Sequence, residues 1–154
     1  MTWKESLVEL NKDNEQYGES ANLPANNIDE VVAFAANKFH LCIPKEFTEF
    51  WKVQNGLEYD GNVFYQADIE LFDDIDPLDM DTNNAIIASN IIWHENADFA
   101  DYTFLGDGNI DWCVYDRRDK KYKILDKPSG EIIETFDTFD EFFSTYLERL
   151  VEQM

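Results

Sequence analysis

Residues 101–136 read DYTFLGDGNIDWCVYDRRDKKYKILDKPSGEIIETF. Within them the runs DYTFLG, IDWCVYD, KYKILD and EIIETF are rich in β-branched and aromatic residues, and Asp107-Gly108, RRDK and KPSG separate them. Short runs of that composition with turn formers between them predict an antiparallel meander.

The neighbouring segments read as the helices that would cover such a sheet. Downstream, Thr138 and Glu141 have capping-box spacing, and Phe139, Phe142, Phe143, Tyr146, Leu147 and Leu150 give a closing helix its apolar face. Upstream, residues 83–96 (NNAIIASNIIWHEN) show helical spacing through Ile86, Ile87 and Ile91. Pro77 breaks any helix through residues 72–81, FDDIDPLDMD, which predicts an acidic loop there. Residues 57–66, LEYDGNVFYQ, alternate around Asp60-Gly61 and predict a hairpin. In residues 41–56, LCIPKEFTEFWKVQNG, Pro44 opens a helix, Phe47, Phe50 and Trp51 share its face, and Asn55-Gly56 supplies a left-handed stop. Asn27 precedes a helix bearing Ile28, Val31, Val32, Ala35 and Phe39. Thr2 and Glu5 open a first helix, ending before Gly18, with Trp3, Leu7, Val8 and Leu10 inward. Helices, then strands, then a closing helix predict an α+β fold, an antiparallel sheet with helices packed mainly on one face, as a single domain over residues 1–154.

Composition narrows the partners. The 154 residues carry 12 Lys and Arg against 33 Asp and Glu, a net charge of −21, yet 44% are hydrophobic and 15% aromatic, too apolar for a disordered acidic tail. Such a field repels phosphate, so direct binding to nucleic acid or an anionic membrane surface is disfavoured, and a basic partner fits better. The start, MTWKESLVEL, lacks a secretory pattern, and the expected location is the cytoplasm. Cys42 and Cys113 are expected to be two buried thiols rather than a disulfide.

The charge is also segregated along the chain. Between Val53 and Asp116 there is no Lys or Arg, and fifteen acids fall there, among them Glu58, Asp60, Asp68, Glu70, Asp73, Asp74, Asp76, Asp79, Asp81, Asp98 and Asp101. Arg117, Arg118, Lys120, Lys121, Lys123 and Lys127 follow at once. Two unit charges about 6 Å apart at an effective dielectric near 20 repel by roughly 3 kcal/mol, less when exposed and screened, which a cationic partner would relieve. A solvated face kept for solubility is the plainer alternative. Tyr59, Tyr65, Trp93 and Tyr102 lie near these acids and are candidate anchors for an inserted Arg or Lys.

Other chemistries find less support. An EF-hand loop begun at Asp107 puts Trp112 at the required glycine and Arg118 at the required glutamate, and one begun at Asp74 puts Leu78 at a ligand position. Loose divalent binding by clustered aspartates stays open, as does a His94–Cys113 pair. His40 and Cys42 lack the second close pair that structural zinc sites show. LGDGN is not a dinucleotide fingerprint, and no Gly-x-Ser-x-Gly elbow occurs. No cofactor, metal site or enzymatic activity is expected.

The order of motifs resembles the SUKH superfamily, which includes yeast cell-wall assembly regulators and many bacterial immunity proteins. The resemblance rests on residues 28–56 (IDEVVAFAANKFHLCIPKEFTEFWKVQNG), 105–116 (LGDGNIDWCVYD) and 137–150 (DTFDEFFSTYLERL). Ile43-Pro44 stands where the family more often shows Leu-Pro. The likeness covers residues 19–154, with 1–18 as an added N-terminal helix. It implies an α+β immunity protein that neutralises a toxin, often a nuclease, or else a regulatory interaction scaffold.

Overall fold

The computed structural model describes residues 1–67 and 84–154. The predicted meander forms as β3 (Tyr102–Asp107), β4 (Asp111–Asp116), β5 (Lys121–Asp126) and β6 (Ile132–Phe136). The predicted hairpin precedes it as β1 (Leu57–Tyr59) and β2 (Asn62–Phe64). Together they make one six-stranded sheet in chain order, each neighbour antiparallel. Asp60 and Gly61 both have positive φ, 47° and 80°, the backbone of a tight hairpin turn whose twist matches that of its strands.

The α-helices among the described residues are α1 (Trp3–Gln16), α2 (Ile28–Phe39), α3 (Lys45–Val53), α4 (Ile86–Trp93) and α5 (Phe139–Glu152). The first capping box closes from both sides: Glu5 N donates to Thr2 Oγ1 at 3.2 Å, and Thr2 N donates to Glu5 Oε1 at 3.2 Å. Glu141 N donates likewise to Thr138 Oγ1 at the start of α5. Asn27 stands at the α2 N-cap position, but its side chain makes no capping hydrogen bond. Val8, expected inside, is 51% exposed, because it lies one helical step beyond Leu7 and off the stripe of Trp3, Leu7 and Leu10. α3 ends at Val53 with Gln54 extended, and the left-handed residue is Gly56, two places later than a simple stop would put it.

The core lies between α5 and one face of the sheet. Phe142, Phe143 and Tyr146 meet Phe64, and Phe139 and Phe142 meet Tyr122, with ring centroids 5.0–6.4 Å apart. Trp3 of α1 and Phe47 and Phe50 of α3 pack on the same α5 rings. Each such side chain taken wholly from water contributes ~1.5–3 kcal/mol before entropy.

α4 covers the opposite face. Phe104, Val114 and Lys123 are successive cross-strand neighbours and share a face, so Tyr122, adjacent to Lys123 on β5, points to the other. On the Phe104 side Trp93 stacks on that ring at 4.6 Å, and Phe99, from the 3₁₀ turn Ala97–Phe99, meets Phe104 and Trp112 at 5.3 and 5.8 Å. β2 is too short to reach Phe104, since it pairs only with Gly106 and Asp107. Buried Asn90 fills that place: Phe104 N donates to Asn90 Oδ1 at 2.7 Å, and Asn90 Nδ2 donates to Phe104 O at 2.9 Å. A side-chain amide thus satisfies a strand segment that would otherwise be orphaned. Among the described residues no helix is long and apolar enough to cross a membrane.

Candidate protein-interaction surface

The short first strand explains where the hairpin candidates go. Its alternation turns Leu57 and Tyr59 inward and leaves Glu58 exposed. Tyr59 is therefore a correction to the sequence expectation of a surface anchor: it is buried and donates its hydroxyl to Asp13 Oδ2 at 2.6 Å. Burial, aided by that carboxylate, pushes its pKa up to about 12. Tyr65 and Tyr102 are buried too and are corrected likewise. Tyr65 accepts a hydrogen bond from Trp93 Nε1 at 3.0 Å, and burial raises its pKa to about 12. Aromatics beside acids in sequence were drawn inward because their area is worth more in the core than at the surface.

Some candidates do come together. Tyr65 and half-buried Trp93 border one hollow of about 230 Å³ with Asp107 and Asn84, and Asn84 also borders a second, amide-lined hollow of about 310 Å³ with Glu58. Gln66 and Ala85 form a parallel bridge beside these hollows. Asp68, Glu70, Asp73, Asp74, Asp76, Asp79 and Asp81 lie outside the described residues. Asp98 is exposed in the first turn of the 3₁₀ segment. Asp60 and Asp101 sit at opposite ends of β3: Asp60 is at the hairpin turn, where its carbonyl accepts from Asn109 Nδ2 at 2.8 Å, and Asp101 is beside Arg117. Roughly 20 Å of strand separates them, so residues 58–60 and 101 form two sites rather than one continuous patch. A hollow of about 720 Å³ lies over Ile28, Val32, Ala36 and Ile43 between α2 and α3, and none of the candidate interface residues borders it.

The basic cluster after Asp116 does not make a basic patch. The meander folds it back on the acids that precede it in sequence. Arg117 pairs with Asp101 at 3.0 Å, Arg118 with Asp116 at 2.9 Å, and Lys127 with Asp107 at 2.9 Å. Lys123, buried beside Asp116 at 2.8 Å, also holds Asp119 at 2.7 Å. Lys121 pairs with Asp137, and Arg149 grips Glu134 through both nitrogens at 2.9 and 3.1 Å. Burial alone would raise the Asp116 pKa, but the hydrogen bonds from Arg118 and Lys123 outweigh it and hold the group at about 2. Glu58, Asp60, Glu95 and Asp98 make no ion pair with a described residue.

The remaining polar groups are structural in placement. Tyr146 donates to Asp111 Oδ1 at 2.7 Å, Asn109 N donates to Asn62 Oδ1 at 3.1 Å, and Gly108 fits between Asp111, Tyr146 and Asn62. Burial raises the Asp111 pKa. Sequence reasoning passed over this cluster; its only trace was the tight LGDGN turn. Cys113 is buried on the α5 side, and burial pushes its thiol well up, whereas Cys42 is exposed, contrary to the expected pair of buried thiols. His94 Nε2 lies 2.6 Å from Tyr102 O on the α4 side, so the sheet stands between it and Cys113. No group of three or more His, Cys, Asp or Glu among the described residues could hold a metal ion. No family model, curated protein or solved structure matches the chain.

Proposed function

We propose that this protein is a cytoplasmic immunity protein of the SUKH type that binds a toxin, a nuclease with a basic substrate groove, and covers that groove with carboxylates. One observation carries the reading. The bases of residues 117–127 are largely consumed by internal ion pairs, while Glu58, Asp60, Glu95 and Asp98 keep unneutralised charge at the surface. These four carboxylates present negative charge outward, where it disfavours phosphate and attracts a cationic protein. The motif order from residue 28 to residue 150 supports the family reading. Charge complementarity of this kind speeds encounter by about 10- to 10³-fold and selects the partner, while slow release rests on buried contacts.

The reading requires a basic nuclease domain to be encoded beside this gene, and the test uses that domain. Equimolar protein should abolish its cleavage of nucleic acid, and the association rate should fall steeply as salt rises. Full nuclease activity in the presence of excess protein would refute the proposal.

A further inference from the structure

The hollow of about 720 Å³ between α2 and α3 is bordered by apolar side chains that the fold leaves within reach of solvent. Of the twelve residues of α2 only Val31 and Ala35 are buried, although eight are apolar. Ile28, Val32 and Ala36 recur at four-residue steps and so form one stripe, with Ala33 beside it. Ile28 and Val32 are half-buried and both alanines are exposed, which makes an open apolar floor. Thr48, which also borders the hollow, donates its hydroxyl to Lys45 O at 2.6 Å and so leaves no polar demand there.

The two sides of the groove carry opposite charge. Asp29 and Glu30 stand on the α2 side, and Lys45 and Lys52 on the α3 side, where seven-residue spacing puts both lysines on one face. Asp29, Glu30 and Lys45 are exposed and make no ion pair with a described residue, and the 2.9 Å pair of Lys52 with Glu49 has both side chains more than half exposed. First-turn acids complement the helix dipole, which is role enough for Asp29 and Glu30. The same dipole disfavours Lys45, a cation at the first residue of α3.

We infer that this groove seats an amphipathic α-helix of a partner protein, its apolar stripe on α2, an acidic flank over Lys45 and Lys52 and a basic flank over Asp29 and Glu30. A groove with an apolar floor and charged rims is the complement of such a helix, whose anchors recur at three- and four-residue steps. The length agrees, since α2 offers about 18 Å of floor, a little over three turns. A second copy of this chain is the poorer occupant, because two molecules of net charge −21 repel. The inference goes beyond the immunity reading and does not depend on it.

The experiment needs no toxin. The probe is a capped, alanine-based synthetic helix of about 14 residues with leucines at i, i+4 and i+7, glutamate along one flank and lysine along the other. It is titrated into the full chain at about 0.15 M salt, where long-range attraction is screened, and backbone amides are followed by NMR. Saturable shifts should appear at Val32, Ala36, Lys45 and Lys52, and a peptide with glutamine in place of leucine should give none. Lys45→Gln with Lys52→Gln should weaken binding roughly three- to tenfold, while Lys12→Gln with Lys120→Gln, the same change in net charge elsewhere, should leave it unchanged. Ala36→Glu, at an exposed helical site, should keep Tm and abolish binding. No shift at about millimolar peptide, shifts as large at Glu58 and Asp98, or equal weakening by both double variants would overturn the assignment. So would a dimer that Ala36→Glu dissociates, which gives the groove to a second copy, or the same shifts from decanoate at like concentration, which gives it to a small amphiphile.

Discussion

Replacing Asp116 by Asn tests how the fold uses its internal ion pairs. Asp116 is 1% exposed and accepts from Arg118 N and Nε at 3.0 Å, from Arg118 Nη2 at 2.9 Å and from Lys123 Nζ at 2.8 Å. A carboxyl held at about 2 against an ordinary 3.8 contributes about 2 kcal/mol at neutral pH through its charge. Asn also turns an amide toward cations, while Asp119 continues to hold Lys123, so the total loss at pH 7 should be about 2–4 kcal/mol. Because the folded pKa is depressed, the charge-dependent part is complete above the unfolded value of 3.8 and is lost as pH falls through about 2. About a third of it remains near pH 2.5. Urea unfolding of both proteins between pH 7 and that value should show the gap closing. A gap under about 1 kcal/mol at pH 7, or one that does not change with pH, would refute the argument.

Gly108→Ala would place a Cβ 2.6 Å from Tyr146 Oη and closer still to Asp111 Oδ1, so it should cost ~1–3 kcal/mol, read as a lower urea midpoint. With a net charge of −21 the folded state repels itself at neutral pH. Raising NaCl from about 0.02 to about 0.5 M should therefore raise Tm at pH 7.5 by several degrees, and a flat or falling Tm would contradict this.

Much of the local structure was legible in the sequence, for identifiable reasons. Asp60-Gly61 specifies a hairpin because both positions need positive φ, and Thr2 with Glu5 specifies a helix start because each satisfies the other's orphaned backbone donor. Residues 101–136 formed the strands that their runs and the turn formers between them implied. The interaction surface was less legible. Adjacency in sequence made Tyr59, Tyr65 and Tyr102 look like exposed anchors, but strand alternation and the packing of α4 turned them inward. Trp3, Tyr115, Tyr122 and Phe139 come from four separate elements or their ends, and no local pattern announced that their rings would pack in one row.

The sequence by itself determined the secondary elements, their order and the total charge, since each depends on a residue and its near neighbours or on simple composition. The tertiary structure alone decided which charges cancel. Arg117 meets Asp101, Lys127 meets Asp107 and Arg149 meets Glu134 only because antiparallel strands and a returning helix bring distant residues within about 3 Å. Coulomb energy follows distance in space rather than separation along the chain, so bases that form one block in sequence end paired with carboxylates drawn from distant parts of the chain.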